Sequence, residues 1–347
     1  MARVLLLFGG RSSEHEVSCT SAVSVSDALV GSGHRVIPVG IDREGQWFLA
    51  DTAYRPFRAE GRSVAFRVPE GVLSVGGESV EFDVIFPVLH GPMGEDGTVQ
   101  GLFEMCDTPY VGCGVLASAL CMDKDLTKGL VSQAGFATSL WRAIQRTDWD
   151  LDSESIVSSV AADLRFPLFV KPSAQGSSVG ISKVTDLDTL TYAIANAFRY
   201  DTKVVVEEGI VGREIEVGVL DGPRASLPGE IVIEDGWYTY QAKYEDDTSE
   251  CVVPADLTEE ETKTVRGMAE SIFDLLGLTG LARIDFFYDT ANERFLFNEA
   301  NTMPGFTSIS GFPRMWIASG LTYEELCTNL VDAAFVHHEE RGRLEIR

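Results

Sequence analysis

The sequence predicts a mixed α/β protein whose N-terminal part is built on a parallel sheet. Three observations carry this. The apolar run VLLLF at residues 4–8 meets Gly9-Gly10, then a helix start marked by Ser13, Glu14 and Glu16, then a second apolar run, RVIPVGI, which together make a β-α-β unit. A third strand-like run, VEFDVIFPVLHG at residues 80–91, is again followed by a helical segment, GTVQGLFEMC. Glycine and acidic residues crowd the end of that run in HGPMGEDGTVQG, where parallel α/β folds hold their functional groups.

Beyond Cys121 the pattern changes. A helix, MDKDLTKGLVSQAG, leads into an irregular segment. LRFPLFVKPSAQGSSVGISKV then reads as strand, glycine-rich loop and strand, and VVVEEGIVGREIEVGVL adds two strands. PGEIVIEDGWYTYQAKYEDDTSECVVP is polar and weakly periodic, the pattern of a long loop between short strands. A helix follows over residues 258–276. Two strands in GLARIDFFYDTANERFLFNEAN come next, with the turn signal DTAN between them, and a last helix begins near Thr322.

With 347 residues, 45% of them hydrophobic, the chain can bury a large core and divide into two or three domains. No apolar run reaches membrane-spanning length. The apolar run at the start is too short for a signal peptide and lacks a small-residue cleavage site, so a cytoplasmic location is expected. The six cysteines are scattered, with no C-x-x-C pair, which suits reduced thiols. A net charge of −25 argues against a nucleic-acid footprint, and the acids form no block that would read as a tail. The composition is that of an enzyme or binding protein for small molecules, with a well-solvated surface.

Residues that carry chemistry stand in four places. In RIDFF, Arg283 and Asp285 are two apart and share a strand face, as do Glu299 and Asn301 in FNEAN. If the DTAN turn pairs the two strands, three oxygen ligands and a guanidinium line one side of a ribbon. Mg²⁺ takes such oxygen ligands together with phosphates and water. The competing reading is a polar face in solvent. Ile284, Phe286, Phe297 and Ala300 supply a buried face already, which favours the metal. Lys171-Pro172 ends a strand before SAQGSSVG, whose small residues let backbone N–H groups approach an anion. A flexible hairpin is the plain alternative, and the absence of G-K-[ST] excludes a Walker A loop. His90 reads as a core or capping histidine, Glu95 as a helix N-terminal acid, and SSEHE first as a capping sequence. Residues 112–117 match G-x-G-x-x-A by chance, since no acid follows at the spacing ribose recognition requires.

In order and spacing, these blocks resemble the D-alanine–D-alanine ligase family of ATP-grasp enzymes over nearly the whole chain. LLLFGGRSSEHEVS, HGPMGEDGTVQG, SALCMDKDLTK, FVKPSAQGSSVG, VVEEGIVGREIE, YQAKY, ARIDFF and FNEANTMPGFTSIS carry the resemblance. It implies an ATP-grasp fold with a Rossmann-like N-terminal domain over residues 1–120. A central subdomain over 121–214 and a C-terminal subdomain over 215–347, holding the metal and substrate site, complete the chain. By the same resemblance Asp285, Glu299 and Asn301 hold two Mg²⁺ ions, replaceable by Mn²⁺, on the ATP phosphates. Lys124, Lys171 and Lys243 contact phosphate, Lys243 from a closing loop. Glu207, Glu208 and Ile210 meet adenine, and Glu214 the ribose. Glu14, Ser177 and Tyr244 form a trio beside the first D-alanine, with His90 nearby. Arg283 and the Gly305 N–H make an oxyanion site, and Ser310 with Gly311 faces the second D-alanine. A homodimer is the family expectation.

The implied reaction joins two D-alanines through an acyl phosphate for peptidoglycan precursors. The Lys243-Tyr244 pair is the pattern of dipeptide-forming members. Gly311 departs from the family, which usually carries Leu or Met there. A missing side chain could admit D-serine or a bulkier D-amino acid, unless a neighbour such as Phe312 refills the space. The remaining alternative is a nucleotide-binding protein of this fold without ligase activity.

Overall fold

The computed structural model describes residues 1–68, 70–233 and 249–345. Three sheets organise them. In the first, β1 (Arg3–Gly9), β2 (Arg35–Ile41) and β7 (Val84–Val88) are parallel, with β1 in the middle and α1 (His15–Gly31) crossing from β1 to β2. Strands β3 (Trp47–Ala50), β4 (Gly61–Arg67), β5 (Val72–Val75) and β6 (Glu78–Val80) extend this sheet as an antiparallel meander beyond β2. The meander left no clear mark in the sequence, because its strands are short and β4 and β6 are largely exposed.

Strand β1 shows why a central parallel strand reads as unbroken hydrophobicity. Val4, Leu6 and Phe8 face one core with Ala22, Val25 and Leu29 of α1. Leu5 and Leu7 face the other, with Val99 and Phe103 of α2 (Thr98–Met105).

After α3 (Val115–Met122) and α4 (Lys124–Gln133), a second, antiparallel sheet runs β10-β9-β11-β8, from β8 (Trp141–Gln145), β9 (Leu168–Pro172), β10 (Ser182–Val184) and β11 (Lys203–Glu208). Helices α5 (Arg146–Asp163) and α6 (Leu187–Ala197) belong to it. The stretch expected to be irregular therefore holds β8 and α5. Helix α5 escapes a periodicity search for a physical reason: it buries only Val160 fully and breaks at Asp152, whose φ of −156° is non-helical. Residues 112–114, the G-x-G of the chance motif, serve packing instead. Gly112 lies against Gly280 backbone to backbone, and the Cys113 thiol donates to the Thr279 carbonyl at 3.2 Å.

The third sheet holds β12 (Arg213–Leu220), β14 (Gly229–Ile233), β15 (Ser249–Val252), β16 (Leu281–Asp289) and β17 (Arg294–Asn301) in the order β15-β14-β12-β16-β17, with β13 (Arg224–Ala225) against β12. One face is covered by α7 (Glu259–Leu275), whose Val265, Ala269, Ile272 and Phe273 pack with Ile215, Val217, Ile284 and Phe286. Thr258 and Glu261 begin α7 with a capping box, and Thr322 and Glu325 begin α9 (Tyr323–Gly342) in the same way. Helix α9 returns to the first sheet, placing Leu326, Leu330 and Val331 in one core with β1 and α1. The short α8 (Gly311–Ala318) lies on the polar face of the third sheet. Gly218 makes room for it, since a Cβ there would come 2.9 Å from Trp316 and 3.1 Å from Phe312.

Candidate active site

The polar face of the third sheet is a lattice of cross-strand pairs. Glu216 on β12 pairs with Asp285 on β16, which pairs with Glu299 on β17. In the next row Arg283 pairs with Asn301. Directly paired residues share a face, so three carboxylates form one line with a guanidinium and a carboxamide beside it. Arg283 donates to both Asp285 oxygens at 2.7 Å, and its Nε lies 3.2 Å from Glu216. Asn301 Nδ2 donates to Asp285 at 2.9 Å.

The electrostatics follow from burial. Removal from water raises Asp285, and Arg283 draws it down. Glu216 and Glu299 push it up again, and it settles at about 7. Among the described residues, no three His, Cys, Asp or Glu side chains converge as a ready-made metal cage. The donor set is nonetheless hard oxygen: two carboxylates and, with Nδ2 already placed, the carboxamide oxygen of Asn301. It suits Mg²⁺, which keeps its remaining positions for phosphate oxygens and water.

A second cluster lies between the second sheet and α4. Lys124 Nζ donates to the Gln175 carbonyl at 2.7 Å and reaches to 3.6 Å from Glu299, tying the glycine-rich loop to the carboxylate line. Lys171 pairs with one oxygen of Glu207, and Lys128 with the other. Ser139 accepts from Lys128 at 2.6 Å and donates to Glu207 at 3.1 Å. Burial alone would raise the Glu207 carboxyl, but the two ammonium groups hold it far below the ordinary carboxylate range. The two lysines respond oppositely. Burial lowers Lys128, which also feels the charge of Lys171, whereas for Lys171 the attraction of Glu207 outweighs burial and raises it. Glu208 accepts from the Arg165 N–H at 2.9 Å, and Ile210 is half-buried in the turn between β11 and β12. Glu214 lies on the same face of β12 as Glu216.

The third group joins the first sheet to the glycine-rich loop. Ser177 donates to Glu14, and Ser177 and Ser178 take left-handed φ values of 46° and 59°, uncommon for residues with a side chain. Glu14 stands at the N-cap position of α1 without capping it, so the capping expected of SSEHE is not what this carboxylate does. It sits in a notch between two glycines. A Cβ on Gly91 or Gly176 would approach its Oε2 to 2.6 or 2.7 Å. Lys243 and Tyr244 lie outside the described residues.

The fourth group is the loop after β17. His90 Nδ1 donates to the Met303 carbonyl at 2.9 Å, leaving Nε2 to accept from Ser21 at 3.3 Å, and burial lowers its pKa. His90 is thus a neutral strut between β7 and this loop. Glu95 is not in the first turn of α2. Its carboxyl accepts from the Gly91 N–H at 2.7 Å and the Met303 N–H at 3.4 Å, and burial, reinforced by Glu14, raises it to about 8. Ser310 accepts from the Thr307 N–H at 3.1 Å, and a Cβ on Gly305 would lie 2.9 Å from the Ser310 hydroxyl. Beside Gly311 the space is filled, though not by Phe312, which points into the core. The Glu216 carboxylate and the Cys251 thiol occupy it.

Lys128, Ser139 and Glu216 were not singled out from sequence. A signal existed for two of them. Lys128 follows Lys124 by four residues, hence on one helix face, and Glu216 follows Glu214 by two in a strand.

A parallel N-terminal sheet followed by two antiparallel sheets, the first of these bringing lysines and a glycine-rich loop and the second a paired carboxylate–amide ribbon, defines the ATP-grasp class. Family models agree on the branch. Residues 3–113 match the D-ala D-ala ligase N-terminus and residues 130–332 the D-ala D-ala ligase C-terminus. The chain belongs to the D-alanine–D-alanine ligase family. It is 44% identical to the D-alanine–D-alanine ligase of Geobacillus kaustophilus, covering 98% of this chain and 96% of that one. It is 45% identical to that of Paenarthrobacter aurescens, covering 96% and 94%. The solved D-alanine-D-alanine ligase of Coxiella burnetii superposes with a TM-score of 0.87 at 34% identity, over 98% of this chain and 96% of that one. The VanG D-Ala:D-Ser ligase of Enterococcus faecalis superposes with a TM-score of 0.84 at 35% identity, over 96% and 99%.

Proposed function

We propose that this protein joins two D-alanines into D-alanyl-D-alanine with ATP, forming ADP and phosphate for peptidoglycan precursor synthesis. The observation that carries the reading is the charged lattice of Glu216, Asp285, Glu299, Arg283 and Asn301, reached by Lys124 from the loop side. Lys124, Lys171 and Lys243 hold the phosphates. Glu207, Glu208 and Ile210 meet adenine, and Glu214 the ribose. Lys171 leaves Glu207 for phosphate without stranding that carboxylate, because Lys128 stays.

Asp285, Glu299 and Asn301 would hold two Mg²⁺ ions, which neutralise charge on the transferred phosphoryl group when bound. The first D-alanine lies by Glu14, Ser177, Tyr244 and His90, and its carboxylate attacks the γ-phosphorus. The amine of the second, held near Ser310, attacks the resulting acyl phosphate. Arg283 and the Gly305 N–H then stabilise the tetrahedral oxyanion, a type of contact whose loss typically costs about 10²–10³ in rate.

The three-part division at residues 120 and 214, a cytoplasmic location and a homodimer complete the proposal. No helix among the described residues is long and apolar enough to cross a membrane. Phosphate release from ATP with D-alanine alone tests the reading. Robust turnover supports it, turnover only with a different second amino acid redirects it to the acceptor, and none with any amino acid refutes it.

A further inference from the structure

We infer that Glu216 is a positioning residue for Arg283, and that Gly311 is a glycine because Glu216 occupies the place of its side chain. The inference rests on the ligase reading above. Glu216 is buried and projects from the central strand of the third sheet, between Arg283 and the first turn of α8. One oxygen, Oε1, lies 3.2 Å from Arg283 Nε. The other, Oε2, lies 2.6 Å from where a Cβ on Gly311 would stand, closer than any carbon can approach. The same carboxylate therefore touches the guanidinium and the acceptor-side helix.

Arg283 needs such a second support. Its two contacts to Asp285 hold the guanidinium from one side only, and Asp285 is shared with the metal ligands. The Glu216 carboxylate, 3.2 Å from Nε, gives the guanidinium a second anionic partner besides Asp285, and Nη1 is the nitrogen that Asp285 does not engage. The start of α8 is a favourable place for the remaining negative charge, because the helix dipole is positive there. Gly311 thus seats a carboxylate and does not widen the acceptor pocket. In this chain an alanine Cβ there would require the Glu216 carboxylate to shift from its present place beside Arg283.

A double-mutant cycle tests this. Glu216→Ala and Gly311→Ala are each expected to lower kcat about 10²-fold, the effect of a group displaced by about 1 Å, with KM for ATP and melting temperature little changed. The double variant is expected to be no worse than either, since both remove the same support. Glu216→Gln, which keeps an oxygen for Arg283 Nε, should recover most of kcat. In Gly311→Ala the preference for D-alanine over D-serine should be unchanged. Multiplicative losses, a Gly311→Ala enzyme as fast as the parent, or a shifted acceptor preference would overturn the inference. A crystal structure of Gly311→Ala reads the Arg283–Glu216 contact directly, without turnover. Failure of the parent protein to form dipeptide would count against the ligase reading alone.

Discussion

Asp285 stands directly across from Glu299, and one unpaired residue, Asn298, puts their side chains on the same face. The pairing runs Asp285 to Glu299 and then Phe286 to Phe297, skipping Asn298. In an unbroken strand Phe297 and Glu299 would share a face, and Phe297 is in the core against Phe286. The bulge lets Phe297 and Ala300 both point inward while Glu299 and Asn301 point to the site.

Glu299 should therefore tolerate an isosteric change structurally but not chemically. Glu299→Gln is expected to keep the parent melting temperature and lose turnover by about 10²-fold or more, as several kcal/mol of charge stabilisation disappears. Calorimetric titration with ATP, with and without Mg²⁺, should show the metal-dependent part of binding reduced. Near-parent turnover would remove Glu299 from the ligand set.

The lysine pair predicts a division between stability and activity. Lys128 is 2% exposed, and its loss leaves a buried carboxylate without its inner partner. Lys128→Met should lower unfolding free energy by about 3–5 kcal/mol. Lys171→Met should cost less stability, because Lys128 and Ser139 still satisfy Glu207, yet lower turnover more per unit of stability lost. Urea denaturation and steady-state kinetics on the two variants separate these effects, and equal stability losses would contradict the assignment.

Much of this was legible in the sequence because chemistry and periodicity coincide there. β1, β2 and the β16–β17 hairpin carry strong apolar patterns, and the polar residues that interrupt them at spacing two are the site itself. The bulge at Asn298 was not legible, since it is fixed by pairing with another strand and not by residue type. The meander of β3 to β6 was missed because its strands are short and β4 and β6 are largely exposed, and helix α5 because it buries only Val160 fully. The refilling of the Gly311 space depended on Glu216, 95 residues away, which only the fold brings near.

Glu95 predicts a pH dependence of stability in the nucleotide-free protein. Its folded pKa of about 8 lies above the ordinary glutamate value of 4.5, so between those values the folded state holds a proton that the unfolded state has released. Stability from this group is fully present below about pH 4.5 and is lost as pH rises toward 8, with a slope approaching about 1.4 kcal/mol per pH unit. Glu95→Gln imitates the protonated carboxyl and should flatten that slope. Denaturation curves from pH 5 to 8.5 check this, and parallel slopes for parent and variant would assign the dependence elsewhere.

The notch around Glu14 gives the last prediction. Gly176 lets the loop's backbone pass close to Glu14 Oε2, and Ser177 holds the other oxygen. Gly176 has no positive φ, so alanine fits the backbone and its only conflict is the 2.7 Å approach of the new Cβ to that oxygen. Gly176→Ala should push Glu14 off Ser177 while leaving the loop's fold and the lysine cluster in place. A charge-assisted hydrogen bond contributes about 1.5–3 kcal/mol, so KM for the first D-alanine should rise roughly 10- to 100-fold with KM for ATP nearly constant. Ser177→Ala should give a similar rise, and the two together little more, because both break one contact. A rise in KM for ATP of the same size would instead place this loop's chief contact on the nucleotide.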